Sequence, residues 1–570
     1  MRREAKVSEL VDWIQRRHLQ LPEMQRQYVW RAPRVRDLLD SLYRGYPSGA
    51  ILLWETDASV PTREFGVSQP DAPVMQRLLL LDGQQRLTSL SAVLRGEPVT
   101  VRGRKRPIEI LFNLEHPDEL GVVTEVDEDA DDDEDADDDP QDDGPGDDVD
   151  ADDDLQRRFE RMTFIVSTKA RAQMPQWVSV SEVFRTAEDK TFLLRAGVKS
   201  FDDPRFTRYS DRLRQLRSIK DYVYRMDVLP ASLGYEEVTE IFVRVNSLGS
   251  KLRSSDLALA QITAKWRGSL ELFQGFQRQC AERGFDIELG LFLKTMVAFA
   301  TGQSRFRTVG GLDEPKLRAA WEQCQHGTEF AVNFLTSNLK VESPALLSSP
   351  FLLVMLAVYG ARRSYEIAPK EAALLSRYAL LANAKGRYSR GSSETILDQD
   401  LAVMRQGGAK ELMDRLELQV GRLDVDVGEL EGRTKRSALF KTMFLAFRAA
   451  GAKDWRSNLA IALDHSGAQH KLQFHHIFPK AVLKRRYPHR EIDDIANLAF
   501  IGGRTNRGIT DKPPEKYLPP LLEKVGEEAF AAQAMPTDPK LWSLDAYPEF
   551  LAARRRLIAA RLNDFLGGGR

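Results

Sequence analysis

Two adjacent histidines, His475 and His476, stand in the run Phe474, His475, His476, Ile477, Phe478, Pro479, Lys480. Asn497 follows 22 residues after His475, and Asn506 nine residues later. These residue types at this spacing suit metal-dependent phosphodiester hydrolysis. One imidazole and the distant last residue hold a divalent ion, and the neighbouring imidazole takes a proton from water. The middle asparagine orients that imidazole through its backbone. Neighbouring residues on a strand point to opposite faces, so one histidine can bind metal while the other reaches substrate only at a strand end or bend. Phe474 and Ile477 beside the pair, with Pro479 after it, suit a short strand running into a loop. A lone His-His dipeptide reads as a pair of surface histidines in a basic segment. The pair, both asparagines and basic charge together favour a nuclease.

A second constellation is Asp82, Gly83, Gln84, Gln85 and Arg86, between the apolar run 78–81 and a helix expected to extend through Leu94. A glycine turn aims backbone N–H groups and the helix N-terminus at a ligand, which suits phosphate. Gln84 and Gln85 can read polar edges, Arg86 can clamp an oxyanion, and Asp82 can hold a metal or a water. A strand–Asp-Gly–helix junction is also common structural punctuation. The chain has no Gly-x-x-x-x-Gly-Lys-Ser/Thr string, which excludes a P-loop NTPase. Gln25, Arg26, Tyr28 and Trp30 form one further polar cluster; Phe242, Arg244, Asn246 and Asp256 form another. Trp30 and Phe242 read as core. Arg26, Arg244 and Asn246 read equally well as cap or ion-pair groups.

The elements that position these residues follow from apolar periodicity. Helices are predicted over 7–17 and 33–43, and strands over 51–54, 78–81, 164–166 and 226–229, with 238–245 either strand or helix. From 255 to 450 the pattern is mostly helical, over 257–266, 289–300, 345–361 and 371–383. An amphipathic stretch at 437–450 should pack beneath the histidines. After Asn506 come Pro513, Pro514, Pro519 and Pro520, then closing helices.

A chain of 570 residues has room for two to four domains. Its two cysteines, Cys280 and Cys324, fall in no metal-ligand spacing, which argues against a zinc finger or a disulfide scaffold. The start lacks the apolar core of a signal peptide. The longest apolar run, 351–359, falls far short of the roughly 20 residues a membrane span requires. A reduced, soluble, cytoplasmic protein with no membrane partner is expected. The net charge of −2 hides an asymmetry, because 125–154 holds 20 Asp or Glu and no Lys or Arg. Without that tract 64 acidic residues face 82 basic ones, a balance of +18, as expected of a polyanion binder.

Taken together, these motifs resemble the GmrSD-type modification-dependent restriction enzymes. Leu21 through Arg26, Tyr28 to Trp30, Leu38 to Ser41, Asp82 to Arg86, and Arg244 through Gly249 are similar to the DGQQR domain, a ParB/sulfiredoxin-like fold. His475 to Pro479 with Asn497 and Asn506 resembles the HNH nuclease domain of the same proteins, a ββα-metal fold. The middle matches by order alone. The resemblance implies an α+β multidomain chain: a DGQQR sensing domain at 1–254, a helical linker domain at 255–435 and an HNH domain at 436–570. It implies that Asp82, Gly83, Gln84, Gln85 and Arg86 bind or hydrolyse an NTP (GTP, ATP or another). Gln25, Arg26, Tyr28, Arg244 and Asn246 would sense DNA and its modification. His475 and Asn506 would hold Mg²⁺ or Mn²⁺, with His476 as general base and Asn497 as orienting residue. Met24 stands where the family usually has Tyr, which leaves the sensed modification open. His475 stands where many HNH sites carry an acidic ligand, which bears on the preferred metal.

The expected activity is an antiphage endonuclease that nicks or cuts DNA under control of nucleotide and DNA modification. The modification is either glucosylated hydroxymethylcytosine or, as in SspE-like proteins, host phosphorothioate. Phage or modified DNA and nucleotide are the expected partners, with self-association or other defence-system proteins as further ones. A ParB-like DNA-binding nucleotide switch with a degenerate nuclease is a rival, opposed by the intact set of His475, His476, Asn497 and Asn506. An RNase toxin is another, opposed by the absence of an export segment.

The tract 125–154 reads as a disordered insertion, because its like-charge density forbids a packed core. It acts either as a solvated spacer, the reading favoured here, or as a DNA mimic over a basic groove. Deleting it should leave the melting temperature almost unchanged. A salt titration against unmodified duplex separates the two roles: a spacer leaves affinity and salt slope alone, whereas a mimic's deletion tightens binding, most at low salt.

Overall fold

The computed structural model describes residues 2–25, 28, 30, 32–56, 60–63, 65, 67, 77–96, 109–118, 161–248, 253–389, 391–405, 407–461, 472–484, 486–509 and 512–567. The acidic tract, Arg26 and the side chain of Asn246 lie outside them. Chain contacts divide the protein into two compact units, Met1–Leu270 and Glu271–Arg570.

Among the described residues the first unit holds nine strands: β1 (Arg2–Lys6), β2 (Leu19–Pro22), β3 (Ile51–Thr56), β4 (Thr62–Arg63), β5 (Arg77–Asp82), β6 (Ile110–Asn113), β7 (Phe164–Val166), β8 (Trp177–Ser179) and β9 (Val223–Leu229). Six of them form one mixed sheet in the order β1-β9-β3-β5-β2-β4, and the others a small sheet in the order β7-β6-β8. Strand β5 runs parallel to β2 and antiparallel to β3. Its leucines form a continuous apolar run because both faces of the strand are covered. On one side Leu80 joins a core shared with α1 (Val7–Gln15), α2 (Ala32–Tyr43) and α3 (Gln84–Arg95). On the other, Leu79 and Leu81 pack with Met24, Trp54, Val238 and Phe242. Each fully buried leucine contributes roughly 1.5–3 kcal/mol relative to exposure.

The ambiguous segment 238–245 is helical, within α4 (Tyr235–Leu248). Its buried residues Tyr235, Val238 and Phe242 recur every three or four positions, the period of one helix face rather than of a strand. Helix α5 (Ser254–Lys265) follows.

The second unit is mostly helical. Its long elements are α6 (Leu289–Thr301), α7 (Glu314–Leu339), α8 (Phe351–Arg362), α9 (Pro369–Ala384) and α10 (Ala438–Ala449). A Cβ added at Gly327 of α7 would lie 2.8 Å from the Phe299 ring and 3.1 Å from the Ala357 carbonyl, so glycine lets α6, α7 and α8 close up. Beyond α10 come β10 (Leu472–His476) and β11 (Leu498–Gly502), paired antiparallel with His475 opposite Ala499. Helix α11 (Gly503–Ile509) leaves β11 directly. Two long helices follow, α12 (Pro514–Val525) and α13 (Tyr547–Leu566). Pro519 and Pro520 lie inside α12 rather than breaking it. Among the described residues no helix is long and apolar enough to cross a membrane.

Candidate active site

His476 is the last residue of β10, and this position decides what the pair can do. The His475 side chain turns inward and is buried, whereas the His476 side chain remains 21% exposed at the strand end. Beneath them an aromatic cluster fixes the strands. Phe440 of α10 meets Phe474 at 5.0 Å between ring centroids, and Phe440 and Phe444 meet Phe500 of β11 at 5.1 and 5.3 Å. The stretch 437–450 therefore does underlie the histidines.

His475 Nδ1 lies 2.7 Å from Asn506 Oδ1, which α11 presents across from β10. The start of α11 is held by Asp454, a buried carboxylate that accepts the Gly502 N–H at 2.7 Å and the Thr505 hydroxyl at 2.8 Å. The Tyr517 hydroxyl, from α12, donates to the Ile477 carbonyl at 2.9 Å and stands 3.4 Å from His475 Nε2. Burial lowers the His475 imidazole to about 4, against the opposing hydrogen bond to Asn506. His476 is lowered as well, by burial first and against its bond to Asp493. Both rings are thus neutral at pH 7, as a metal ligand and a proton acceptor must be.

Asn497 is fully buried and works on the backbone beyond the histidines. Its Oδ1 accepts the Phe478 N–H at 2.9 Å, and its Nδ2 donates to the carbonyls of Phe478 and Ile492 at 3.2 and 3.0 Å. Its own carbonyl accepts the Ile477 N–H at 2.8 Å. The partner of the His476 ring is Asp493, whose Oδ1 lies 2.9 Å from His476 Nε2 and 2.9 Å from Lys480 Nζ. Burial alone would raise the Asp493 carboxyl, but the hydrogen bonds from Lys480 and His476 hold it down at about 2. Asp454, Lys480, Asp493 and Tyr517 had no signal in the sequence, since their spacing matches no pattern and only the loops bring them in.

Among the described residues no group of three or more His, Cys, Asp or Glu side chains is arranged to hold a metal ion. His475 and Asn506 nonetheless fit two positions of a divalent centre. A neutral imidazole nitrogen and an amide oxygen face each other, and an ion would take the place of the proton between them. Water and a substrate phosphate would have to supply the remaining ligands.

In the first unit, Gly83 joins β5 to α3 with φ +99°, a left-handed conformation that favours glycine. The Arg86 guanidinium is occupied. It donates to the Ser48 and Ala50 carbonyls at 2.5 and 2.8 Å and pairs with Asp82 at 3.1 Å. Gln85 Oε1 accepts the Trp30 N–H at 3.2 Å. The Tyr28 hydroxyl is 2.8 Å from Ser89 Oγ, and Gln25 donates to the carbonyls of Leu80 and Leu81. Gln25 and Tyr28 are thereby brought to Asp82–Arg86. Gln84 is buried, and its Oε1 has no hydrogen-bond partner among the described residues.

The remaining motif residues sit elsewhere. Arg244 is exposed on α4 and pairs with Glu240. Met24 is a core residue beside Phe242, with the Thr239 hydroxyl 3.7 Å from its sulfur. Glu23 is buried; its two oxygens accept the Gly268 N–H at 3.1 and 3.2 Å, and burial raises it to about 7.

Residues 7–263 match the family model described as the GmrSD restriction endonuclease, N-terminal domain. The match supports the GmrSD restriction endonuclease family and takes in the β5–α3 motif, while the histidine site lies beyond it. The chain is also 22% identical over 547 residues to the uncharacterized protein MJ0686 of Methanocaldococcus jannaschii, covering 88% of this chain and 84% of that one.

Proposed function

We propose that the protein is a modification-sensitive DNA endonuclease in which the second unit hydrolyses phosphodiester bonds as an HNH domain and the first unit, ParB/sulfiredoxin-like, couples hydrolysis to nucleotide and DNA modification. The observation that carries the nuclease reading is His475 Nδ1 facing Asn506 Oδ1 at 2.7 Å across a strand–strand–helix unit, with neutral His476 at the exposed strand end. His475 and Asn506 would hold Mg²⁺ or Mn²⁺. When bound, the ion neutralises charge developing on the phosphate and leaving oxygen. His476 takes the proton of the attacking water, and Lys480 adds positive charge beside it. Cleavage assays on glucosylated, phosphorothioate and unmodified DNA, each with GTP, ATP or neither, test the whole. Nucleotide-dependent cleavage selective for one modified DNA is expected; cleavage indifferent to both would remove the sensing role.

The donor set also ranks the metals. Without a carboxylate ligand, the site should favour Mn²⁺, which accepts imidazole, over Mg²⁺, which prefers oxygen. Asn506→Ala should raise the Mn²⁺ concentration for half-maximal cleavage by more than about tenfold, with recovery at excess metal. An unchanged metal titration would take Asn506 out of the ligand set.

For the nucleotide, Gln84 is the residue to change. Arg86 supports the fold through Ser48 and Ala50, so its loss would confuse folding with binding. Gln84 Oε1 is buried at the first turn of α3 and lacks a partner among the described residues. Replacing an unpaired buried amide with an apolar isostere is neutral or stabilising. Gln84→Leu should therefore keep or raise the melting temperature while abolishing NTP binding in calorimetry. Retained binding would mean that the junction serves the fold alone.

A further inference from the structure

We propose that Asp493, rather than Asn497, aims the His476 imidazole, and that His476 Nδ1 is the atom that accepts the proton from water. The proposal rests on the nuclease reading above. A carboxylate oxygen bonded to a lysine ammonium has no proton of its own to offer. Asp493 Oδ1 already receives Lys480 Nζ at 2.9 Å, so the contact at 2.9 Å from His476 Nε2 has the ring as donor. A neutral imidazole carries one N–H. With the proton on Nε2, Nδ1 keeps its lone pair and is the basic atom.

Asn497 does not perform this task. Both polar atoms of its side chain, and its carbonyl, are engaged with the backbone of Ile477, Phe478 and Ile492. It thereby ties the loop that leaves His476 to the residue preceding Asp493. It sets the distance between ring and carboxylate, and the carboxylate sets the ring. Asp493 and Lys480 are both partly exposed, on the same side as His476, so the assembly faces the solvent from which DNA must approach.

The hydrolysis balances without a further reactant. Nδ1 takes one proton of water, and the water oxygen bonds to phosphorus as one P–O ester bond breaks. The departing oxygen takes a proton from solvent, and the imidazolium, held by Asp493, returns its proton to solvent. Asp493 stays a carboxylate throughout and is a positioning residue.

Asp493→Asn in the full-length protein is the test, read by plasmid cleavage in Mn²⁺. An amide in this place can donate to Nε2 and hold the wrong tautomer, so kcat should fall by about 10²–10⁴-fold. KM for DNA and the melting temperature should stay at wild-type values, and Asp493→Glu should recover part of the rate. Three results would overturn the proposal. Asp493→Asn could cleave like wild type while His476→Ala does not, which removes the positioning role and leaves the nuclease standing. The loss could come with raised KM or lowered melting temperature and no recovery in Asp493→Glu, which makes Asp493 a structural residue. Wild type and His476→Ala could cleave alike, in which case the nuclease reading fails and this proposal with it.

Discussion

His476→Ala should lower kcat for DNA cleavage by about 10²–10⁴-fold, the usual cost of deleting one general base. DNA affinity and the melting temperature should hardly change. The reason is where the ring sits. His476 ends β10, its side chain is partly exposed, and among the described residues its ring bonds to Asp493. The backbone on either side has its own anchors: Phe474 in the aromatic cluster, Ile477 through Asn497 and Tyr517, and Phe478 through Asn497. His475→Ala should behave differently. It empties a buried position and removes a partner of Asn506, so stability and metal dependence should shift together. Gel assays of supercoiled plasmid with the two variants, alongside thermal melts, make the comparison. A His476→Ala protein that degrades DNA at the wild-type rate would end the assignment of the base.

The elements legible in the sequence were those with a strong apolar period. Leu78 to Leu81 announced a strand covered on both faces, and 437–450 announced the helix under the histidines. What stayed hidden lacked that signal. Strand β1 reads Arg2, Arg3, Glu4, Ala5, Lys6, with no apolar alternation at all, and exists because its backbone pairs with β9. Helix α7 is the longest described element of the second unit, yet its buried face includes Ala320, Cys324, Gly327, Thr328 and Ala331, small or polar residues that dilute the stripe. Pro519 and Pro520 carry no helix signal of their own, and α12 accommodates them.

The candidate site was legible in part for the same kind of reason. The four residues His475, His476, Asn497 and Asn506 announced themselves by type and spacing, and the structure brings them together. The ring partner did not, because Asp493 sits in a short connection whose path depends on Asn497 and on α13. Arg86 shows a different limit. A basic residue beside a glycine turn invites an oxyanion, but the carbonyls of Ser48 and Ala50 had already claimed its guanidinium, and no sequence pattern announces a backbone acceptor 36 or 38 residues away.

Arg554 carries the largest expected effect on stability. It is completely buried in α13 and faces three backbone carbonyls: Ala496 at 2.8 Å, Gln533 at 3.2 Å and Ala534 at 3.3 Å. Burial pulls its pKa down to about 9, so the charge is retained at pH 7. Its neighbour Arg555 pairs at 2.6 Å with Asp494, which in turn accepts the Ala496 N–H at 2.8 Å. Two arginines of one helix therefore grip the segment that carries Asp493 and Asn497. Arg554→Met keeps much of the volume and leaves three buried acceptors without their donor. A charged hydrogen bond contributes about 1.5–3 kcal/mol, and the relieved desolvation of the guanidinium offsets part of the sum, so a net loss of about 3 kcal/mol is expected. That corresponds to roughly 6–12 °C in the melting temperature of the unit concerned. Lysine should not restore it, because a point charge cannot serve three carbonyls arranged for a planar fork. Cleavage should fall along with stability, since the Ala496 carbonyl adjoins Asn497. Calorimetry of the whole protein provides the check: Arg554→Met melting like wild type would mean that the carbonyls find other donors and that α13 does not hold the segment carrying Asp493 and Asn497.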